Sequence, residues 1–145
     1  MATKSSIEQL NSFLRGEMSA VETYQMALGK LDEISTARDE LLTNLKSHQD
    51  RVIALTEAVV ALGGTPASGS GPWGAFAKSV EGAAKVFGEK AAVAALEEGE
   101  DHGLKDYRKD VDKIDADVRS MVVNQLIPQQ QLTHDRLSAL KRRLS

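Results

Sequence analysis

Two glutamates carry the chemistry that this 145-residue chain offers most plainly. Glu17 stands in Arg15-Gly16-Glu17-Met18-Ser19-Ala20-Val21-Glu22-Thr23-Tyr24, and the pattern returns as Glu98-Gly99-Glu100-Asp101-His102-Gly103-Leu104-Lys105-Asp106-Tyr107. Each copy reads Gly-Glu, then an aliphatic residue four positions on, then a tyrosine three after that. The same offset carries Leu10 onto Val93, Leu28 onto Val111 and Leu31 onto Ile114, so what repeats is a helical face. At 3.6 residues per turn Glu17 falls inside the stripe Leu10, Leu14, Val21, Tyr24, Leu28, and Glu100 inside Val93, Leu104, Tyr107, Val111. Each half therefore aims a carboxylate at the core. A buried, unpaired carboxylate costs several kcal/mol even after relaxation, so each one needs a cation or a set of hydrogen-bond donors.

Candidates for that partner are few. His48 lies in the stripe Ile34, Leu41, Leu45, His48, Val52, Leu55, Val59, Leu62, which makes it core-facing. His134 sits beside the seam of the last helix and reaches inward only if Pro128 rotates that helix. Glu97 precedes Glu100 by one turn on the same face, whereas His102 points away from it. Tyr24 and Tyr107 each lie two turns beyond a glutamate. Because helical side chains lean toward their own N-terminus, a pseudo-two-fold relation between the halves would bring Tyr24 to Glu100 and Tyr107 to Glu17. Tyrosines, His48 or arginines can hold both acids without any metal, and a bound cation is the other solution. Arg51 and Arg136 are expected to snorkel at the bundle surface or to pair with nearby acids.

The elements that must position these groups are helices. Ala, Leu, Val, Glu, Lys and Asp dominate, no useful strand-like alternation appears, and glycine and proline cluster in few places. Ser5-x-x-Glu8 reads as a capping box ahead of a first helix over residues 5–31, and a short turn near Asp32 to Thr36 leads into a second, antiparallel helix that ends at Gly63-Gly64. Residues 63–74 are linker-like, and Trp73, Phe76, Val80, Ala84 and Phe87 then form a short amphipathic segment. The third helix is expected over residues 89–113. Asp115 or Asp117 caps a fourth, whose stripe is Val118, Val122, Leu126, Gln130, Thr133, Leu137, Leu140, Leu144, and Pro128 should bend it or widen a turn.

Net charge of −3 gives no general attraction to nucleic acid or to an anionic membrane. The absence of cysteine removes disulfide scaffolds, thiolate catalysis and Cys-type zinc sites. Neither a signal-peptide core nor 18 consecutive apolar residues occur, so a cytoplasmic protein with no membrane partner is the plain reading. A homo-oligomer would form through helix faces. A Gly-rich phosphate loop and a Ser/His/Asp arrangement are both lacking, which leaves an enzyme without metal or cofactor unsupported.

With the Gly-Glu repeat, the linker and His134-Asp135-Arg136 in place, nearly the whole chain resembles the ferritin-like four-helix bundles, most of all a bacterial ferritin-like domain family of unknown function. The resemblance implies an all-α bundle, residues 1–145 as one domain, with a long crossover between helices 2 and 3 carrying a short extra helix. In di-iron members a Glu from each of two helices joins a Glu-x-x-His from each of the other two. By that resemblance Glu17 and Glu100 match the single glutamates, His48 one imidazole, and Tyr24 the tyrosine seven residues after the first-helix Glu. The departures are Leu45 where the first Glu-x-x-His needs its Glu, and Gln131 ahead of His134 or Gln130 ahead of Thr133 in the last helix. Both bridging carboxylates are missing. The expectation is a reduced or vestigial metal centre, no certain cofactor, and a non-enzymatic structural, stress-related or interaction role. The other reading is an iron- or manganese-binding oxidase or iron-handling protein, with Glu17, His48, Glu100 and Glu97 or His134 as metal residues and Tyr24 and Tyr107 behind them.

Overall fold

A computed structural model describes residues 3–31, 35–71 and 74–145. Asp32, Ile34 and Trp73, on which some of the expectations above fall, lie outside the described residues, as does the side chain of Phe76. The elements are α1 (Thr3–Lys30), α2 (Arg38–Ala61), α3 (Gly74–Phe87) and α4 (Glu89–Asp110), followed by a 3-10 turn (Val111–Lys113), α5 (Ala116–Met121), a π turn (Val122–Leu126) and α6 (Ile127–Leu144). Among the described residues there is no strand, and no helix is long and apolar enough to cross a membrane.

Side-chain bonds fix the helix directions. Glu17 meets His48 while Tyr24 meets Asn44, so α1 and α2 run antiparallel. Tyr24 meets Glu100 and Tyr107 meets Glu17, which sets α1 against α4 in the same sense. Arg51 meets Gln130 and Glu40 meets Arg143, while Glu100 meets Thr133 and Glu97 meets Ser138, so α6 opposes both α2 and α4. Helices α2 and α4 therefore point one way, and α1 and α6 the other.

Residues 62–88 join α2 to α4. Gly63 takes φ +82°, and the N–H of Gly64 bonds the carbonyl of Val59 at 3.0 Å, a glycine C-cap of the kind that the Gly-Gly pair signals. The strap then lies along α1. A Cβ on Gly64 would come within 2.7 Å of Ile7, so glycine is needed for the approach itself. Asn11 bonds Thr65 and Ala67, and Ser70 donates to Glu22 at 3.2 Å. Helix α3 follows and buries Val80 and Ala84, whereas Phe87, expected on its apolar face, is 76% exposed. Phe87 is the last residue of α3, where Gly88 at φ +82° turns the chain into α4.

Two further details differ from the sequence reading. Helix α1 begins at Thr3, so Ser5 lies inside it and not at its cap. Asp115 occupies the N-cap of α5 without a side-chain cap bond; its N–H is bonded by Ser6 Oγ at 2.8 Å instead. Pro128 has its expected effect as a widened turn. Lacking an N–H and crowding the carbonyl four residues back, it is the second residue of α6, just after the π turn at Val122–Leu126, which absorbs both defects.

The apolar core is divided. One cluster gathers Leu10, Leu14, Leu55, Val59, Ile114 and Leu126, and the other Leu28, Leu41, Val93, Leu96, Leu137 and Leu140. Between them runs a layer of buried polar residues that includes Glu17, His48, Arg51, Glu100, Gln130 and Thr133.

Candidate functional site

The polar layer is built around one imidazole. His48 Nδ1 lies 2.5 Å from Glu17 Oε1 and Nε2 lies 2.6 Å from Glu100 Oε2. A neutral imidazole donates from one nitrogen only, and its other lone pair would face a carboxylate oxygen at contact distance. The ring is therefore an imidazolium that donates to both acids. Burial alone would lower the pKa of His48, but the Glu100 and Glu17 charges prevail against burial and the Arg51 guanidinium, and the net shift is upward. Burial would likewise raise Glu100, yet His48 and the bonds from Thr133 and Tyr24 hold it down at about 2. Glu17 is also lowered, with the guanidinium of Arg51 and the imidazolium overcoming desolvation.

Each acid receives a tyrosine from the opposite half of the repeat. Tyr24 donates to Glu100 at 2.6 Å and Tyr107 donates to Glu17 at 2.5 Å, the reciprocal contacts that a pseudo-two-fold relation demands. Burial and the adjacent carboxylate push both phenols well above their ordinary range, so they remain donors. Thr133 donates to Glu100 Oε1 at 2.6 Å, and Gln130 Nε2 reaches the same oxygen at 3.0 Å.

Arg51 completes the centre. It is fully buried, and its guanidinium donates to Glu17 Oε2 at 3.2 Å, to Gln130 Oε1, to Thr133 Oγ1 at 3.1 Å and to Ser47 Oγ at 3.3 Å. Two carboxylates thus face one imidazolium and one guanidinium, and the buried charges cancel. A cavity of about 610 Å³ opens between α1 and α4 with Gly16, Ala20, Gly99 and Gly103 on its walls, and it reaches Glu17, His48 and Glu100.

Of the residues singled out by sequence, Glu17, His48, Glu100, Tyr24 and Tyr107 are brought together. Glu97 and His134 are placed elsewhere. Glu97 bonds Ser138 at 2.9 Å and pairs with Lys141 at 3.6 Å, on the far side of the α4/α6 contact. His134 faces Asp101 at 3.6 Å and Asp135 at 3.3 Å. Thr133 holds the inward position of α6, and the next residue lies about 100° further round the helix. Of the two expectations for Arg51, pairing with an acid is met at Glu17, whereas snorkelling is corrected, because the side chain is fully buried. Its burial had a signal, because Leu41, Asn44, His48, Arg51 and Leu55 keep a 3-4 spacing along α2; the same signal marks Asn44, which donates to Tyr24 Oη at 3.0 Å and was not singled out.

Iron or manganese, which the resemblance implies, does not fit these residues. Two oxygen or nitrogen ligands at about 2.1 Å from one ion and at right angles to it lie roughly 3 Å apart, so a ring nitrogen 2.5 Å from its carboxylate leaves no room for an ion between them. Among the described residues no group of three or more His, Asp or Glu side chains is arranged to hold a metal ion.

The fold itself has a known counterpart. A solved structure from Bacillus anthracis str. Ames, described as ferritin like, diiron-carboxylate proteins, superposes with a TM-score of 0.76 over 97% of this chain and 98% of that one, at 19% identity. This chain has the ferritin-like fold. No family model matches the sequence, and no curated protein matches it.

Proposed function

We propose that this chain is a ferritin-like bundle with a vestigial metal centre, and that its role is structural or interactive, not oxidative. The observation that carries this reading is the closure of the network. Every oxygen of Glu17 and Glu100 and both nitrogens of His48 already have a protein partner, and Arg51 supplies positive charge from within the chain. The Bacillus anthracis protein is described as a diiron-carboxylate protein. Here Leu45 and Gln130 stand where bridging carboxylates would be needed, so a pair of hard divalent ions would lack the anionic oxygens to share.

Metal analysis of protein purified without chelators tests the reading. Iron and manganese well below one equivalent, no oxidation of added Fe(II) above the buffer rate, and an unfolding midpoint indifferent to EDTA are the expected results. Iron or manganese near one equivalent per chain would overturn it in favour of an iron- or manganese-handling centre.

A further inference from the structure

We infer that Arg51 is the built-in cation of a divalent-metal site, and that removing its side chain opens the site to a hard divalent ion. The inference rests on the reading that the native centre is metal-free, and it assigns the cause to one residue. Around the guanidinium converge a carboxylate oxygen of Glu17, the amide oxygen of Gln130, the hydroxyls of Thr133 and Ser47, and the Ser47 carbonyl, which accepts from Nε at 3.4 Å. These five are oxygens, and the one nitrogen beside them, His48 Nε2 at 3.4 Å from Nη2, is already turned to Glu100. Such a donor set suits Mn²⁺, Mg²⁺ or Ca²⁺, which take carboxylate, carbonyl and hydroxyl oxygens and complete their shells with water.

Charge points the same way. With Arg51 present the two glutamates are balanced by guanidinium and imidazolium, and an added divalent ion would enter a neutral, low-dielectric layer already full of donors. Truncation to alanine leaves the layer one charge negative and vacates the volume of the largest fully buried side chain in the core. The cavity between α1 and α4, which reaches Glu17, His48 and Glu100, provides the way in.

Thermal unfolding of Arg51→Ala, followed in EDTA and then in rising MnCl₂, reads the inference directly, with wild-type protein and the double variant Glu17→Gln/Arg51→Ala alongside. In EDTA the single variant should melt well below wild type. Its midpoint should climb by about 5–10 °C once Mn²⁺ exceeds its dissociation constant a hundredfold. Bound Mn²⁺ should lose its six-line solution spectrum in parallel. The double variant, neutral again, should recover in EDTA and lose the response to Mn²⁺. A folded Arg51→Ala indifferent to Mn²⁺ overturns the inference while leaving the metal-free reading intact. A wild-type protein stabilised by Mn²⁺ overturns that reading instead. An Arg51→Ala that fails to fold with or without Mn²⁺ also overturns the inference, and the double variant says why: if it folds in EDTA, Arg51 supplies a charge that Mn²⁺ cannot replace, and if it does not, Arg51 serves through its hydrogen bonds.

Discussion

A phenol that donates to a buried carboxylate serves two groups at once, and both are left short when it is removed. Tyr107→Phe takes one donor from Glu17 and should cost about 1–3 kcal/mol in denaturant melts. Tyr24→Phe should cost more than Tyr107→Phe, because the Tyr24 hydroxyl also accepts from Asn44 at 3.0 Å and so joins two helices to α4. Equal and negligible effects would show that the paired tyrosines merely fill space. These contacts were legible from the Glu-to-Tyr spacing and its recurrence. The full burial of Arg51 was not, because arginine in an amphipathic helix usually keeps its head in water, and Glu17, Gln130, Thr133 and Ser47 together make that burial tolerable.

Within helices, the glycines near the two repeated glutamates differ in the room around them. A Cβ on Gly16 would meet nothing within 4 Å, so Gly16→Ala should stabilise the protein by roughly 0.5–1 kcal/mol through helix propensity alone. A Cβ on Gly103 would fall 2.9 Å from Gln130 Nε2. That amide is tied to Glu100 and to Arg51, so it cannot swing aside without breaking the centre, and Gly103→Ala should destabilise. Opposite signs in paired urea melts are the expected outcome; a stabilising Gly103→Ala would mean that Gln130 is not held. Periodicity located the helices and most of their inward positions, since stripes of leucine and valine report burial directly. The proline itself announced the widened turn before Pro128. Periodicity could not place the exposure of Phe87, which depends on how the chain closes against its neighbours and is not contained in a single helical wheel.

At the level of the whole molecule, a charged layer lies between two apolar clusters, and its stability depends on all four charges being present together. The folded pKa of Glu100 is about 2 against an ordinary 4.5, and that of Glu17 is also lowered. Their contribution is therefore present above pH 4.5 and is lost as pH falls toward 2. His48 shifts the other way: its folded pKa lies above the ordinary 6.5, so its contribution is complete below pH 6.5 and is lost as pH rises through the raised value. Surface acids such as Asp101 and Asp135, also lowered, blur the acid limb. The alkaline limb is cleaner, because Lys105 and the two phenols, the other groups with raised values among the described residues, have ordinary values of 10 or more and titrate higher still. Urea midpoints measured from pH 5 to pH 9 should thus hold level and then decline above pH 6.5, and the His48 variant assigns that decline. His48→Gln, which keeps a hydrogen-bonding group but cannot take up a proton, should start lower and stay flat across the same range. A wild-type profile as flat as that of the variant would mean that the imidazole between the two glutamates carries no charge, and one of the acids would then have to hold the proton.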